Sequence, residues 1–180
     1  MATLRTLVAY VEDKPGVLNR VASLFRRRGY NIASLNVGRT HDPGVSRMTI
    51  VVEGDSRVAQ LMEANLYKLV NVLSVEDITE TPSVVRDMAL IKVPVDMRKR
   101  AEVLQLVEVF HARVVDICPA TLIAEITGAP EKIDAFVEVL RPYGILELVQ
   151  TGRISMTRGV EGDASRISRG QGTNSVVTAA

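Results

Sequence analysis

The chain has 180 residues, with 22 Lys and Arg against 21 Asp and Glu and a formal net charge of +1. That balance argues against a dedicated nucleic-acid or membrane-surface protein, which carries a clear basic excess. Apolar residues at 47% allow a core, aromatics at 4% without Trp make it an aliphatic one, and the single cysteine, Cys118, excludes an intrachain disulfide and a multi-cysteine metal site.

Leu4 to Val11 is short and aliphatic and reads as a strand. Glu12-Asp13-Lys14-Pro15-Gly16 follows, with Pro15 suited to the first turn of a helix. Val17, Val21, Leu24 and Phe25 then recur at helical spacing, and Arg26-Arg27-Arg28-Gly29 is a C-terminal stop with cations at the negative end of the dipole. Asn31 to Thr40 reads as a second strand whose apolar phase slips between Ile32 and Leu35, the mark of a bulge near its start. His41-Asp42-Pro43-Gly44 is a turn, and Ser46 to Glu53 a third strand. After the Gly54-Asp55-Ser56 loop and cap, Val58, Leu61, Met62, Leu66 and Leu69 mark a second helix, and Val72 to Glu80 a fourth strand.

The order βαββαβ then returns. Ala89 to Val95 is strand-like, and Val103, Leu106, Val107 and Phe110 share a helix face. Val114 to Cys118 and Leu122 to Thr127 flank a turn at Pro119, with Cys118 expected to pack in an aliphatic strand. Pro130 opens a helix carrying Ile133, Phe136, Val137 and Leu140, and Ile145 to Val149 and Ile154 to Thr157 close the unit. Thr81-Pro82-Ser83 is the natural junction.

The expected fold class is α+β: two tandem ferredoxin-like βαββαβ domains, each an antiparallel sheet with helices on one face, over residues 1–81 and 82–159. Residues 160–180, rich in Gly, Ser and Thr, are expected to be a disordered tail. Each domain is small and marginal alone, and its second strand lies at a sheet edge, so a homodimer with joined or packed sheets is expected. No apolar run approaches the ~18 residues of a membrane helix. The N-terminus lacks the parts of a signal peptide, which places the protein in the cytoplasm.

No phosphate loop, dinucleotide fingerprint or nucleophile elbow is present. His41 and His111 lack metal-ligand spacing and read as a turn residue and a helix-end cation. The informative stretch is Glu12 to Leu18 taken with Gly29-Tyr30-Asn31-Ile32. A strand leads there into a helix N-terminus, whose free N–H groups suit a carboxylate. Gly16 permits close approach, Asp13 can meet an ammonium, Asn31 offers donor and acceptor, and Val17 and Ile32 offer aliphatic contact. Together these describe a small branched amino acid; the same residues also read simply as a well-made helix start.

Asp13-Lys14-Pro15-Gly16-Val17-Leu18, Leu24-Phe25, Arg28-Gly29-Tyr30-Asn31-Ile32 and Ser46-Arg47-Met48-Thr49-Ile50 resemble an ACT domain. With Met88 to Val93 and Ser155-Met156-Thr157-Arg158-Gly159, the chain over residues 3 to 159 resembles the regulatory (small) subunits of acetolactate synthase. The resemblance implies a subunit without chemistry of its own. Its partner would be a catalytic large subunit that holds thiamine diphosphate, Mg²⁺ and FAD and condenses two pyruvates, or pyruvate with 2-oxobutyrate. This chain would hold no cofactor or metal, activate that subunit, and confer feedback inhibition by valine or another branched-chain amino acid. The implied effector set is Asp13, Lys14, Gly16, Val17, Leu18, Asn31 and Ile32, at the interface of two N-terminal domains. Many relatives carry Asn at the position of Asp13. Asp96-Met97-Arg98-Lys99-Arg100 stands where a second effector loop would be, so the second unit is expected to lack that site. The alternatives are a free-standing ACT-type sensor of another enzyme, a small enzyme on a ferredoxin-like scaffold, and a nucleic-acid binder; neither nucleic acid nor membrane is an expected partner.

Overall fold

The computed structural model describes residues 3–159; the tail expected over residues 160–180 lies outside the described residues. β1 (Leu4–Glu12) is apolar on both faces, which suits the centre of a sheet. It pairs antiparallel with β3 (Val45–Glu53) and β4 (Val72–Asp77), while β2 (Ile32–Arg39) pairs with β3 alone. The strand order is β2-β3-β1-β4. The register of β2 shifts between Ile32 and Ser34, where the apolar phase of the sequence slips.

Leu7, Ala9, Val11, Met48, Ile50 and Val52 line one sheet face. They pack beneath Val21, Leu24 and Phe25 of α1 (Val17–Arg28) and Ala59, Met62 and Leu66 of α2 (Ser56–Leu66). Gly29, left-handed at φ 71°, ends α1 with its N–H on Arg26 O and the next N–H on Phe25 O. The Asp55 side chain caps α2 through the Val58 N–H at 2.9 Å. On the other face Val8 and Tyr10 cluster with Ile78. Arg47 lies over the Tyr10 ring and donates to Tyr10 OH, Thr49 Oγ1 and Ser155 O.

The second unit repeats the plan with β5 (Ser83–Pro94), α3 (Lys99–Val109), β6 (Arg113–Ile117), β7 (Thr121–Gly128), α4 (Pro130–Leu140) and β8 (Glu147–Gln150), in strand order β6-β7-β5-β8. Ala89, Ile91, Val93, Leu122, Ala124 and Ile126 pack against Val103, Val107, Ile133, Phe136 and Leu140. Both units are ferredoxin-like βαββαβ folds with the helices on one face of an antiparallel sheet. Residues 3–84 and 155–159 form one compact unit, and Val85–Ile154 form the other. No helix among the described residues is long and apolar enough to cross a membrane.

Three local expectations change. Pro15 precedes α1 instead of opening it, because Gly16 at φ 84° leaves the helical region just before Val17. Cys118 is exposed, one residue past β6, with Sγ 2.9 Å from Thr121 Oγ1; the tight turn at Pro119 lifts it out of the strand, and the Thr121 contact lowers its thiol pKa. β9 (Ile154–Thr157) pairs with β5, which begins at Ser83, well ahead of the expected Ala89.

Candidate functional site

The turn between β1 and α1 is held by its own backbone. Asp13 N–H donates to Gly44 O at 2.7 Å, Lys14 N–H to Glu12 O at 2.9 Å and Val17 N–H to Lys14 O at 3.3 Å. Gly16 is left-handed, and a Cβ built on it would meet nothing within 4 Å. No side chain caps α1. The Val17 N–H is taken by Lys14 O, and the N–H groups that follow it in the first turn, at the positive end of the helix dipole, have no side-chain cap and lie beside a residue with no side chain. Val17 turns into the core, while Leu18 is 45% exposed.

Charges bracket this tip. Lys14 Nζ stands 3.1 Å from Glu12 Oε2. The Asn71 side-chain amide also donates to Glu12, and Asn71 Oδ1 accepts from Arg20 Nη1 at 2.5 Å. The Asn71 bond, then Lys14, holds the Glu12 carboxyl below the usual carboxylate range. Asp13 Oδ2 lies 3.3 Å from Nε of Arg39, the last residue of β2.

Asp13, Lys14, Gly16, Val17 and Leu18 thus share one loop and helix tip, whereas Asn31 and Ile32 do not join them. Glu12 is opposite Val45, and Ile32 is opposite Val52, along the same strand. Seven residues at ~3.3 Å each separate these positions, about 23 Å. Within one chain the two halves of the effector set stand at opposite ends of the sheet. Asn31 is exposed, and Ile32 is half-buried against the first core.

The corresponding turn of the second unit is already filled. Asp96 Oδ1 accepts from the N–H groups of Arg98 and Lys99, each at 2.8 Å, and those bonds lower its pKa. An internal carboxylate serves this turn, whereas no side chain caps α1 in the first unit. Arg39 and Asn71 were not singled out from the sequence. Arg39 meets Asp13 only through strand register, and no local pattern marks it. Among the described residues no group of three or more His, Cys, Asp and Glu is placed to hold a metal ion.

A family model described as the AHAS small subunit-like ACT domain matches residues 7–74, and one described as the small subunit of acetolactate synthase matches residues 86–159. The chain is 49% identical over 154 residues to the probable acetolactate synthase small subunit of Archaeoglobus fulgidus, covering 86% of this chain and 96% of that one. It is 48% identical over 157 residues to the acetolactate synthase small subunit of Mycolicibacterium smegmatis, covering 87% and 92%. The crystal structure of the acetolactate synthase small subunit from Thermotoga maritima superimposes with a TM-score of 0.82 at 40% identity, covering 88% of this chain and 99% of that one.

Proposed function

We infer, because the chain belongs to the acetolactate synthase small-subunit family, that it serves a catalytic large subunit as a non-catalytic regulator. It activates that subunit, which carries thiamine diphosphate, Mg²⁺ and FAD, and makes it sensitive to valine or another branched-chain amino acid. The effector carboxylate sits at the α1 tip beside Gly16 and Lys14, its ammonium at Asp13, and its side chain against Leu18 and Ile32, with Asn31 closing the site. Residues 1–81 form the effector domain and 82–159 the second domain.

The observation that carries this reading is the separation of the two half-sites by the length of β3. They can serve one ligand only if two chains contribute. A two-fold axis that pairs β2 antiparallel with its copy lays the Arg39 end of one strand beside the Ile32 end of the other, so each Asp13–Gly16 loop meets the partner's Asn31. The edges of the first sheet favour this arrangement. On β4 the Tyr67 hydroxyl accepts from Val75 N–H at 3.0 Å and donates to Val75 O at 3.1 Å, which closes that edge to another strand. β2 is the remaining edge.

Valine regulates only through a difference in affinity between two arrangements of this dimer. A ligand gripped by loops from both chains supplies such a difference. Reconstitution with the cognate large subunit, assaying acetolactate formation with and without valine, leucine and isoleucine, tests the reading. Activation by the chain and inhibition by at least one of the three is expected; activation without any inhibition removes the effector role.

A further inference from the structure

The Asp13 carboxylate is not idle. It is paired with Arg39, whose side chain is 88% exposed against 42% for that of Asp13. The two differ in freedom. The backbone of Asp13 is anchored beside the helix tip by its N–H bond to Gly44 O and carries a short side chain, whereas within one chain the Arg39 guanidinium sits at the end of a long exposed arm on the edge strand. A long exposed arm has more conformations open to it than the short side chain of Asp13, so the pair opens chiefly by movement of Arg39.

We propose that Arg39 sets the affinity of the effector site as a built-in competitor: its guanidinium occupies the place on Asp13 that the ammonium of an α-amino acid must take. The proposal rests on the reading above that Asp13 receives that ammonium. An arriving zwitterion exchanges one cation for another at the same carboxylate. A 2-oxo acid of the same skeleton brings no cation to exchange and leaves the pair closed, so it gains nothing from Asp13. The preference for amino acids over their oxo-acid counterparts therefore comes from Asp13, while Arg39 competes with the amino acid for that shared partner and holds the affinity down.

An exposed ion pair of this kind is weak, so its removal changes affinity about 1.5- to 5-fold. The test is calorimetric titration of valine into the full chain as wild type, Arg39→Gln, Asp13→Asn and the double variant. Arg39→Gln is expected to tighten valine binding by that factor at low salt, to lose the gain at ~0.5 M salt, where screening is short-ranged, and to have no effect on the Asp13→Asn background. Weaker binding by Arg39→Gln overturns the proposal, because Arg39 would then grip the effector's carboxylate. An equal change in both backgrounds, or none in either, overturns it while leaving the effector site standing. Failure of the wild-type chain to bind valine, leucine or isoleucine overturns the site assignment and the proposal together.

Discussion

Replacing Gly16 by Asp is expected to separate regulation from activation, with a magnitude that follows from the geometry of the proposed site. The new Cβ meets no atom within 4 Å, so no packing is disturbed. Gly16 holds φ 84°, which costs an Asp roughly 1 kcal/mol and leaves the fold intact. The larger effect is electrostatic. A second carboxylate about 4 Å from the effector's own opposes binding by about 1 kcal/mol in water-like surroundings and about 4 kcal/mol at a part-buried surface. Affinity for valine is then expected to fall between roughly fivefold and a thousandfold. Gly16→Asn carries nearly the same shape without the charge, so the difference in affinity between the two variants isolates the electrostatic part.

The assay pairs calorimetry on the isolated chain with acetolactate formation by the reconstituted enzyme. Activation is expected to survive while inhibition is lost. The composite site adds a sharper readout. Asn31→Ala is also expected to abolish most inhibition, since it removes the contribution of the other chain. When Gly16→Asp and Asn31→Ala chains are mixed, each heterodimer has one site with both defects and one with neither, so part of the inhibition returns. Normal valine inhibition in Gly16→Asp, or no recovery in verified heterodimers, refutes the two-chain site.

Asn31→Ala alone is expected to weaken valine binding about tenfold, the value of one or two hydrogen bonds, by calorimetry. Tyr67→Phe leaves the N–H and C=O of Val75 on an open edge; a stability loss of ~1 kcal/mol in urea titration and faster concentration-dependent aggregation are expected. Arg47→Ala removes donors to Tyr10, Thr49 and Ser155 and is expected to cost ~2 kcal/mol, with faster amide exchange around Ser155 by mass spectrometry. Burial raises the pKa of Asp87, whose Oδ1 has no hydrogen-bond partner among the described residues. The folded state therefore holds this proton more tightly than the unfolded chain, and the group's contribution to stability is lost as pH rises through its folded pKa. Asp87→Asn is expected to remove that downward slope in a pH series of denaturant melts.

The elements readable from the sequence are those specified locally. Val17, Val21, Leu24 and Phe25 mark their own helix, Gly29 ends it, and the slipped phase after Ile32 marks a real shift of register. What was not readable depends on which strands become neighbours. Arg39 is 26 positions from Asp13, since 39 − 13 = 26, and meets it only because β2 and β1 flank β3. Cys118 has strand-like neighbours, and only the geometry of the turn with Thr121 exposes it. The early start of β5 follows from its pairing with β9, and the two are separated by the whole second unit.

The two units share one fold yet differ at the turn proposed to hold the effector, and the difference lies in a carboxylate. Both turns join the first strand to the first helix, and both present N–H groups at the positive end of a helix. In the second unit Asp96 supplies the anion internally, with two bonds at 2.8 Å to the N–H groups of Arg98 and Lys99. In the first, Gly16 withholds a side chain and its left-handed backbone starts the helix without a cap. Leaving those donors uncapped costs stability, typically ~1 kcal/mol relative to a side-chain cap. A ligand carboxylate recovers that loss only when bound, which makes the vacancy useful to a sensor and a defect in a purely structural domain. Gly16→Asp thus has an informative counterpart in Asp96→Gly: opening the second tip is expected to destabilise its unit by about 1 kcal/mol in denaturant melts. It is not expected to create a second valine site, because no Asp13–Arg39 pair and no second-chain Asn31 converge there. A second calorimetric binding event in Asp96→Gly would show instead that a bare helix tip suffices, and that the charged and inter-chain contacts assigned to the first unit are dispensable.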